Sequence, residues 1–231
     1  MTGKSENNRG GIRFPKDRIR VKICGLTRPD QAIACEALGV WAIGLVFYPP
    51  SPRHLSVEKA REIRTALSRN TTVVGVFVNE TVEKMIEVAQ YCGLDAVQLS
   101  GQETPETVDR LSAEGISGIK ALFATTPPLL AQAGSYRSAA ALLVECGGGK
   151  LPGGNAQTWD WSAARYLGNS IPRILAGGLT PDNVGRAVQD ARPDAVDVSS
   201  GVESAPGRKD IERVRRFVIA AGSSLDKLKG R

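Results

Sequence analysis

Histidine is almost missing from this chain of 231 residues, with His54 its sole representative. A metal centre built from histidines on several elements is thereby excluded, and His54 reads as part of a loop. Cysteine is scarce as well. The four thiols, at 24, 35, 92 and 146, form neither a CxxC pair nor paired metal-ligand spacing, so they are expected to stay reduced. No apolar run is long enough to span a membrane, and residues 1–18 are polar and charged without the apolar centre of a signal peptide. A cytoplasmic protein is expected. GxGxxG after the first strand and the P-loop pattern are both absent, so neither a dinucleotide nor a nucleoside triphosphate is implied. Aromatic residues make up 5% of the chain, and no aromatic platform or helix-turn-helix pattern accompanies its net charge of +6. That charge sits at the ends, with a basic surplus of five through Lys22 and another five from Arg208 onward. It reads as a solvated tail and a charged helix face, not as a nucleic-acid site.

What the chain has is alternation. Strand-like runs recur at Ile19–Cys24, Trp41–Phe47, Thr72–Val78, Ala96–Leu99, Gly118–Phe123, Ala140–Cys146, Arg173–Ala176 and Ala195–Ser199. Helix-start signals stand between many of them, at Ser56-Val57-Glu58, Asn79-Glu80-Thr81, Thr104-Pro105-Glu106, Thr180-Pro181-Asp182 and Arg208-Lys209-Asp210. Eight strand and helix units in one domain of this length predict an α/β fold, the (β/α)8 or TIM barrel. An open doubly wound sheet is the other arrangement such alternation permits. The domain is expected over residues 19–222, after a polar, flexible extension at 1–18 and before a basic tail at 223–231. The fifth helix is the weakest, because Thr126-Pro127-Pro128 precedes only a short run. Gly147–Gly154, with five glycines and a proline in eight residues, reads as a mobile loop above the sixth strand.

In such a barrel chemistry gathers at the C-terminal ends of the strands. Cys24 stands at one of these ends, just before Gly25, although a cysteine there can also be a small buried hydrophobe. After the seventh strand comes Gly177-Gly178, and after the eighth Ser199-Ser200-Gly201. Loops at these places commonly bind phosphate through backbone N–H groups, and glycine permits the close approach.

These motifs resemble phosphoribosylanthranilate isomerase, an enzyme family of tryptophan biosynthesis, over about residues 19–220. The resemblance rests on Lys22-Ile23-Cys24-Gly25, Gly44-Leu45-Val46-Phe47-Tyr48-Pro49 with Ser51-Pro52-Arg53, and Val74-Gly75-Val76-Phe77-Val78-Asn79. It continues through Val97-Gln98-Leu99, Gly153-Gly154 with Asp160-Trp161, Ala176-Gly177-Gly178-Leu179 and Asp197-Val198-Ser199-Ser200-Gly201-Val202-Glu203. It implies a single barrel that performs an Amadori rearrangement on a phosphosugar, N-(5-phosphoribosyl)anthranilate, with neither metal nor organic cofactor. It assigns the base to Cys24, the anthranilate carboxylate to Arg53 and ribose hydroxyls to Asp197. Lys22, two positions from Cys24 on the same strand face, is expected to favour the thiolate. The sequence departs from the family at three places. Glu145 stands where the family has its aspartate acid, Ser100 where it usually has histidine, and Asn155-Ala156 where threonine and glycine are usual. A catalytically silent phosphosugar-binding paralogue is therefore the competing expectation, and a monomer and a homodimer both remain open.

Overall fold

The computed structural model describes residues 12, 14, 18–149, 158–167 and 170–229. Most of the 1–18 extension, the glycine-rich loop beyond Gly149 with Gly153-Gly154 and Asn155-Ala156, and the last two residues lie outside the described residues. Eight parallel strands close a barrel in chain order: β1 (Arg20–Cys24), β2 (Ala42–Val46), β3 (Thr72–Phe77), β4 (Ala96–Leu99), β5 (Ser117–Phe123), β6 (Ala141–Glu145), β7 (Arg173–Leu175) and β8 (Ala195–Val198). Closure runs through β8 and β1, where Lys22 pairs with Asp197. The closed barrel itself has no strand edge, so the open sheet is excluded.

The strands read as near-continuous apolar runs because both faces are buried. Inward-facing Ala42, Val74, Ala96, Ile119, Ala121, Leu143, Ile174 and Ala195 fill the barrel, while Ile23, Ile43, Leu45, Val73, Val97, Leu99 and Val196 face the helical layer. Helices α1 (Pro29–Ala37), α2 (Val57–Ala66), α3 (Val82–Cys92), α4 (Pro105–Ala113), α5 (Val184–Ala191) and α6 (Ile211–Lys229) supply most of that layer. Proline opens α1 and α4, where its missing N–H costs nothing. The side chains of Ser56 and Thr81 cap α2 and α3.

Several elements differ from the sequence reading. The fifth and sixth crossovers are 3₁₀ turns, Leu130–Ser135 and Trp161–Leu167. Helix α5 begins at Val184, because Asn183 Oδ1 accepts from Thr180 N and folds the predicted start into a turn. Arg208 and Lys209 do not open the last helix. They form strand β10 (Arg208–Lys209), antiparallel to β9 (Glu203–Ala205), and Asp210 caps α6 by accepting from the N–H groups of Glu212 and Arg213. Helix α6 runs on to Lys229, past the boundary placed at 222. The N-terminal extension is not wholly polar in its behaviour. Ile12 and Phe14 pack against the barrel interior, with the Phe14 ring 5.0 Å from that of Trp41. Trp41 precedes β2, so this contact lies at the end of the barrel opposite the strand C-termini.

Candidate active site

Cys24 ends β1 facing inward and is largely buried. Its partner across the sheet is Gly44 of β2, and a Cβ on that residue would stand 2.7 Å from Cys24 Sγ. Glycine at 44 is what gives the thiol its place. Val46 and Val76, with Tyr48 packed beside them, form an apolar wall next to it. A flat aromatic group fits such a surface.

Lys22 lies one inward position below Cys24 and is wholly buried. Its Nζ donates to Asp197 Oδ1 at 2.9 Å. Burial draws the lysine down, but Asp197 and Cys24 outweigh it and Lys22 is held above its ordinary value. For Cys24 the expected field is present and insufficient. Burial pushes the thiol above its ordinary value, and Asp197 adds to that push while Lys22 and Lys209 oppose it. The Lys22 charge is already engaged by Asp197. Asp197 Oδ2 has no partner among the described residues, so one carboxylate oxygen remains for a hydroxyl.

Glu145 ends β6, and its backbone is braced by Ala124 N donating to its carbonyl at 2.9 Å. Burial, with help from Asp197 and against Lys22, raises its carboxyl to about 7. A carboxyl in that range holds a proton near neutrality and can release it, as a general acid must.

Arg53 is buried and forked onto Glu203, with Nε to Oε1 at 2.8 Å and Nη2 to Oε2 at 2.6 Å. Its stem lies over Gly25, where a Cβ would be 2.3 Å from Arg53 Cδ. Nη1 has no acceptor among the described residues and remains for a ligand. Glu203 also accepts from Lys209 Nζ at 2.7 Å and Gly207 N at 3.2 Å. Burial pushes the Glu203 carboxyl up, but Arg53 and Lys209 outweigh it and hold it below its ordinary value.

The two predicted phosphate loops meet backbone to backbone. A Cβ on Gly201 would come 1.9 Å from the Leu179 carbonyl oxygen. Gly177 and Gly178 both have positive φ, 87° and 65°, which favours glycine. Their N–H groups donate to no acceptor among the described residues, while their carbonyls are engaged by Trp161 Nε1 and Asn183 Nδ2. Ser199 turns toward Lys209, which donates to its carbonyl at 3.1 Å and its hydroxyl at 3.4 Å. Ser200 and Gly201 start a short 3₁₀ turn, Ser200–Val202. Ser100 is buried and accepts from Gln98 Nε2 at 3.0 Å. His54 lies in the connection between β2 and α2, in an isolated β-bridge with Val46.

Three features escaped the sequence reading. The motif around Gly44 does not reveal its steric purpose, the space it leaves for Cys24 Sγ. Trp159 Nε1 donates to the Ala176 carbonyl at 3.0 Å, so two indoles, Trp159 and Trp161, tie down the β7 loop. Lys209 is buried at the site although it lies in a segment that reads as a helix start. Among the described residues no cluster of His, Cys, Asp and Glu could hold a metal ion, and no helix is long and apolar enough to cross a membrane.

A family model described as N-(5'phosphoribosyl)anthranilate (PRA) isomerase matches residues 21–220. The chain belongs to this family. An N-(5'-phosphoribosyl)anthranilate isomerase from Desulfatibacillum aliphaticivorans is 52% identical over 200 residues, which cover 87% of this chain and 91% of the relative. The phosphoribosyl anthranilate isomerase of Thermotoga maritima superposes with a TM-score of 0.80 at 41% identity, over 88% of this chain and 98% of that one. A phosphoribosyl anthranilate isomerase solved in complex with reduced 1-(o-carboxyphenylamino)-1-deoxyribulose 5-phosphate superposes with a TM-score of 0.77 at 40% identity, again over 88% and 98%. The fold expected from the isomerase resemblance, a closed barrel, is the one observed, and Glu145 of this isomerase family member occupies the end of β6 as a buried carboxyl.

Proposed function

We propose that this barrel catalyses the isomerase family's Amadori rearrangement with Glu145 as acid and Cys24 as base. The observation that carries the assignment is Glu145, a buried carboxyl raised to about 7 at the same barrel mouth as the Cys24 thiol. Glu145 gives its proton to the ribose ring oxygen of N-(5-phosphoribosyl)anthranilate as the C1–O bond breaks. The anthranilate nitrogen lone pair then forms the C=N bond of a protonated Schiff base. The Cys24 thiolate takes the proton from C2, and those electrons form C1=C2 while the C=N electrons return to nitrogen. The resulting enol becomes the ketose as its C2 hydroxyl loses its proton, the O–H electrons form C2=O and the C1=C2 electrons take a proton at C1. The number of protons on Glu145 and Cys24 shows no net change over the cycle.

The substrate's ends are held at places that suit them. Its phosphate lies on the N–H groups of Gly177 and Gly178 and the Ser199-Ser200-Gly201 loop, its anthranilate carboxylate takes Arg53 Nη1, and a ribose hydroxyl takes Asp197 Oδ2. The apolar wall of Val46, Val76 and Tyr48 receives the anthranilate ring. Glu145 does the work of the family's aspartate from a longer side chain, its strand end braced by β5. The partner is a small phosphosugar and not a nucleic acid, and the protein acts in the cytoplasm as a monomer or homodimer. The test is loss of substrate fluorescence with freshly made phosphoribosylanthranilate. Turnover by wild type that falls by at least a hundredfold in both Cys24→Ala and Glu145→Ala is expected. Undiminished turnover in either variant would remove that residue from its role.

A further inference from the structure

Glu203 receives four donors: Arg53 Nε and Nη2, Lys209 Nζ and Gly207 N. Four donors and no hydrogen of its own define an ionised carboxylate. Lys209 Nζ faces three acceptors, Glu203 Oε1, the Ser199 carbonyl and the Ser199 hydroxyl, which matches an ammonium with three hydrogens. The lysine's backbone is fixed from the opposite side. Gln31 of α1 donates to its carbonyl at 2.8 Å and accepts from its N–H at 3.2 Å. Two cations thus share one anion, all three buried.

The charges have a consequence. Arg53 and Glu203 by themselves sum to zero, and a forked pair of that kind offers little net attraction to a second carboxylate. With Lys209 added, the three carry one net positive charge, and Arg53 Nη1 has no protein acceptor among the described residues. We propose that Lys209 is a positioning residue for substrate specificity: by neutralising Glu203 it leaves the Arg53 guanidinium both fixed and positively charged for the substrate's aryl carboxylate. Glu203 aims the guanidinium through the fork, and Lys209 removes the electrostatic cost of that aim. The inference rests on the placement of the anthranilate carboxylate at Arg53.

The experiment compares two ligands by titration calorimetry, reduced 1-(o-carboxyphenylamino)-1-deoxyribulose 5-phosphate and the same compound without its carboxyl group. The readout is the ratio of their dissociation constants. In Lys209→Met the three residues sum to zero, and the preference for the carboxylated ligand is expected to fall by about tenfold, the scale of one screened charge nearby. Loss of the Lys209 bonds to Ser199 weakens both ligands alike through the phosphate loop and cancels in the ratio, so the carboxyl-free ligand is the reference against which the carboxylate's share is read. In Lys209→Met/Glu203→Gln the sum returns to one positive charge, now carried by an Arg53 without a protein counter-ion and therefore open to the ligand's carboxylate, so the preference is expected to return. This double variant keeps the test available if Lys209→Met folds poorly. Equal weakening for both ligands, or a double variant with less preference than Lys209→Met, would mean that Lys209 serves structure alone and would overturn the inference. A wild-type protein that binds both ligands equally would overturn the Arg53 placement, and one that binds neither would overturn the isomerase site as well.

Discussion

Lys22 and Asp197 face one another across the β1–β8 seam, Nζ to Oδ1 at 2.9 Å, and so complete the closed barrel with an ion pair directly beneath its mouth. Cys24 stands above it on β1, and Glu145 approaches from β6. Each member of the pair acts on both groups. Burial is the larger cause of the upward shift in both, and on top of it Asp197 raises the thiol and the carboxyl while Lys22 lowers them, so one ion pair tunes acid and base together. Truncating either partner would strand a buried charge, at a cost of about 3–5 kcal/mol in stability.

Glu145 makes stability depend on pH in a defined direction. Its folded value of about 7 lies above the ordinary 4.5, so the folded state holds this proton more tightly than the unfolded state. The contribution is fully present below pH 4.5 and is lost as pH rises through 7, leaving a penalty of about 3 kcal/mol above that. Glu145→Gln has no charge to bury. Denaturant melts are expected to show it stabilised over wild type at pH 8 by an amount of this order, with most of the difference gone at pH 4.5. An equal difference at both pH values would contradict the titration.

Gly44→Ala tests the space given to the thiol. The added methyl would lie 2.7 Å from Cys24 Sγ, well inside contact distance, so the sulfur must turn from its position. Misplacing a reacting atom by about 1 Å costs on the order of a hundredfold in rate. A fall in kcat of that size is expected with KM little changed, together with an altered rate of Cys24 alkylation. Wild-type kcat would show that the site tolerates a different thiol position.

Trp159→Phe removes the indole donor to the Ala176 carbonyl while keeping an aromatic ring against the β7 loop. About 1 kcal/mol is lost with such a bond. The loop carries the Gly177 and Gly178 donors, so KM for the phosphorylated substrate and the inhibition constant for inorganic phosphate are expected to rise several-fold together, with kcat close to wild type. A change in kcat alone would place the indole's influence on the proton-transfer groups instead.

The barrel was legible because period dominates it: eight apolar runs, each ended by a turn or cap signal, match β1 to β8 to within a residue or two. Cys24 and the two glycine loops stand out as candidates because chemistry in this fold lies at strand ends, which sequence marks well, whereas Glu145 is singled out only by the family resemblance. The Glu203–Lys209 contact was hidden because β9 and β10 are only three and two residues long, too short for a periodic pattern. The fork from Arg53 to Glu203 joins residues 150 apart in sequence, and the Lys22–Asp197 pair joins residues 175 apart, so neither has a local signature. Phe14 was overlooked in a segment whose composition is polar, since a single ring packed on Trp41 leaves average composition almost unchanged.

The direct test of the proposed acid–base pair is kcat/KM against pH for wild type and Asp197→Asn. Cys24 is raised above the ordinary thiol range and Glu145 lies at about 7, so the species with thiolate and protonated carboxyl is a minor one of constant fraction between the two values. Activity is therefore expected to climb tenfold per pH unit up to about 7 and level off above it, the break belonging to Glu145. Asn at 197 removes the charge that raises Glu145 and frees Lys22 to lower it, so the break is expected to move to lower pH whatever happens to the maximum. A wild-type profile without that break, or one that Asp197→Asn leaves in place, would contradict Glu145 as the acid.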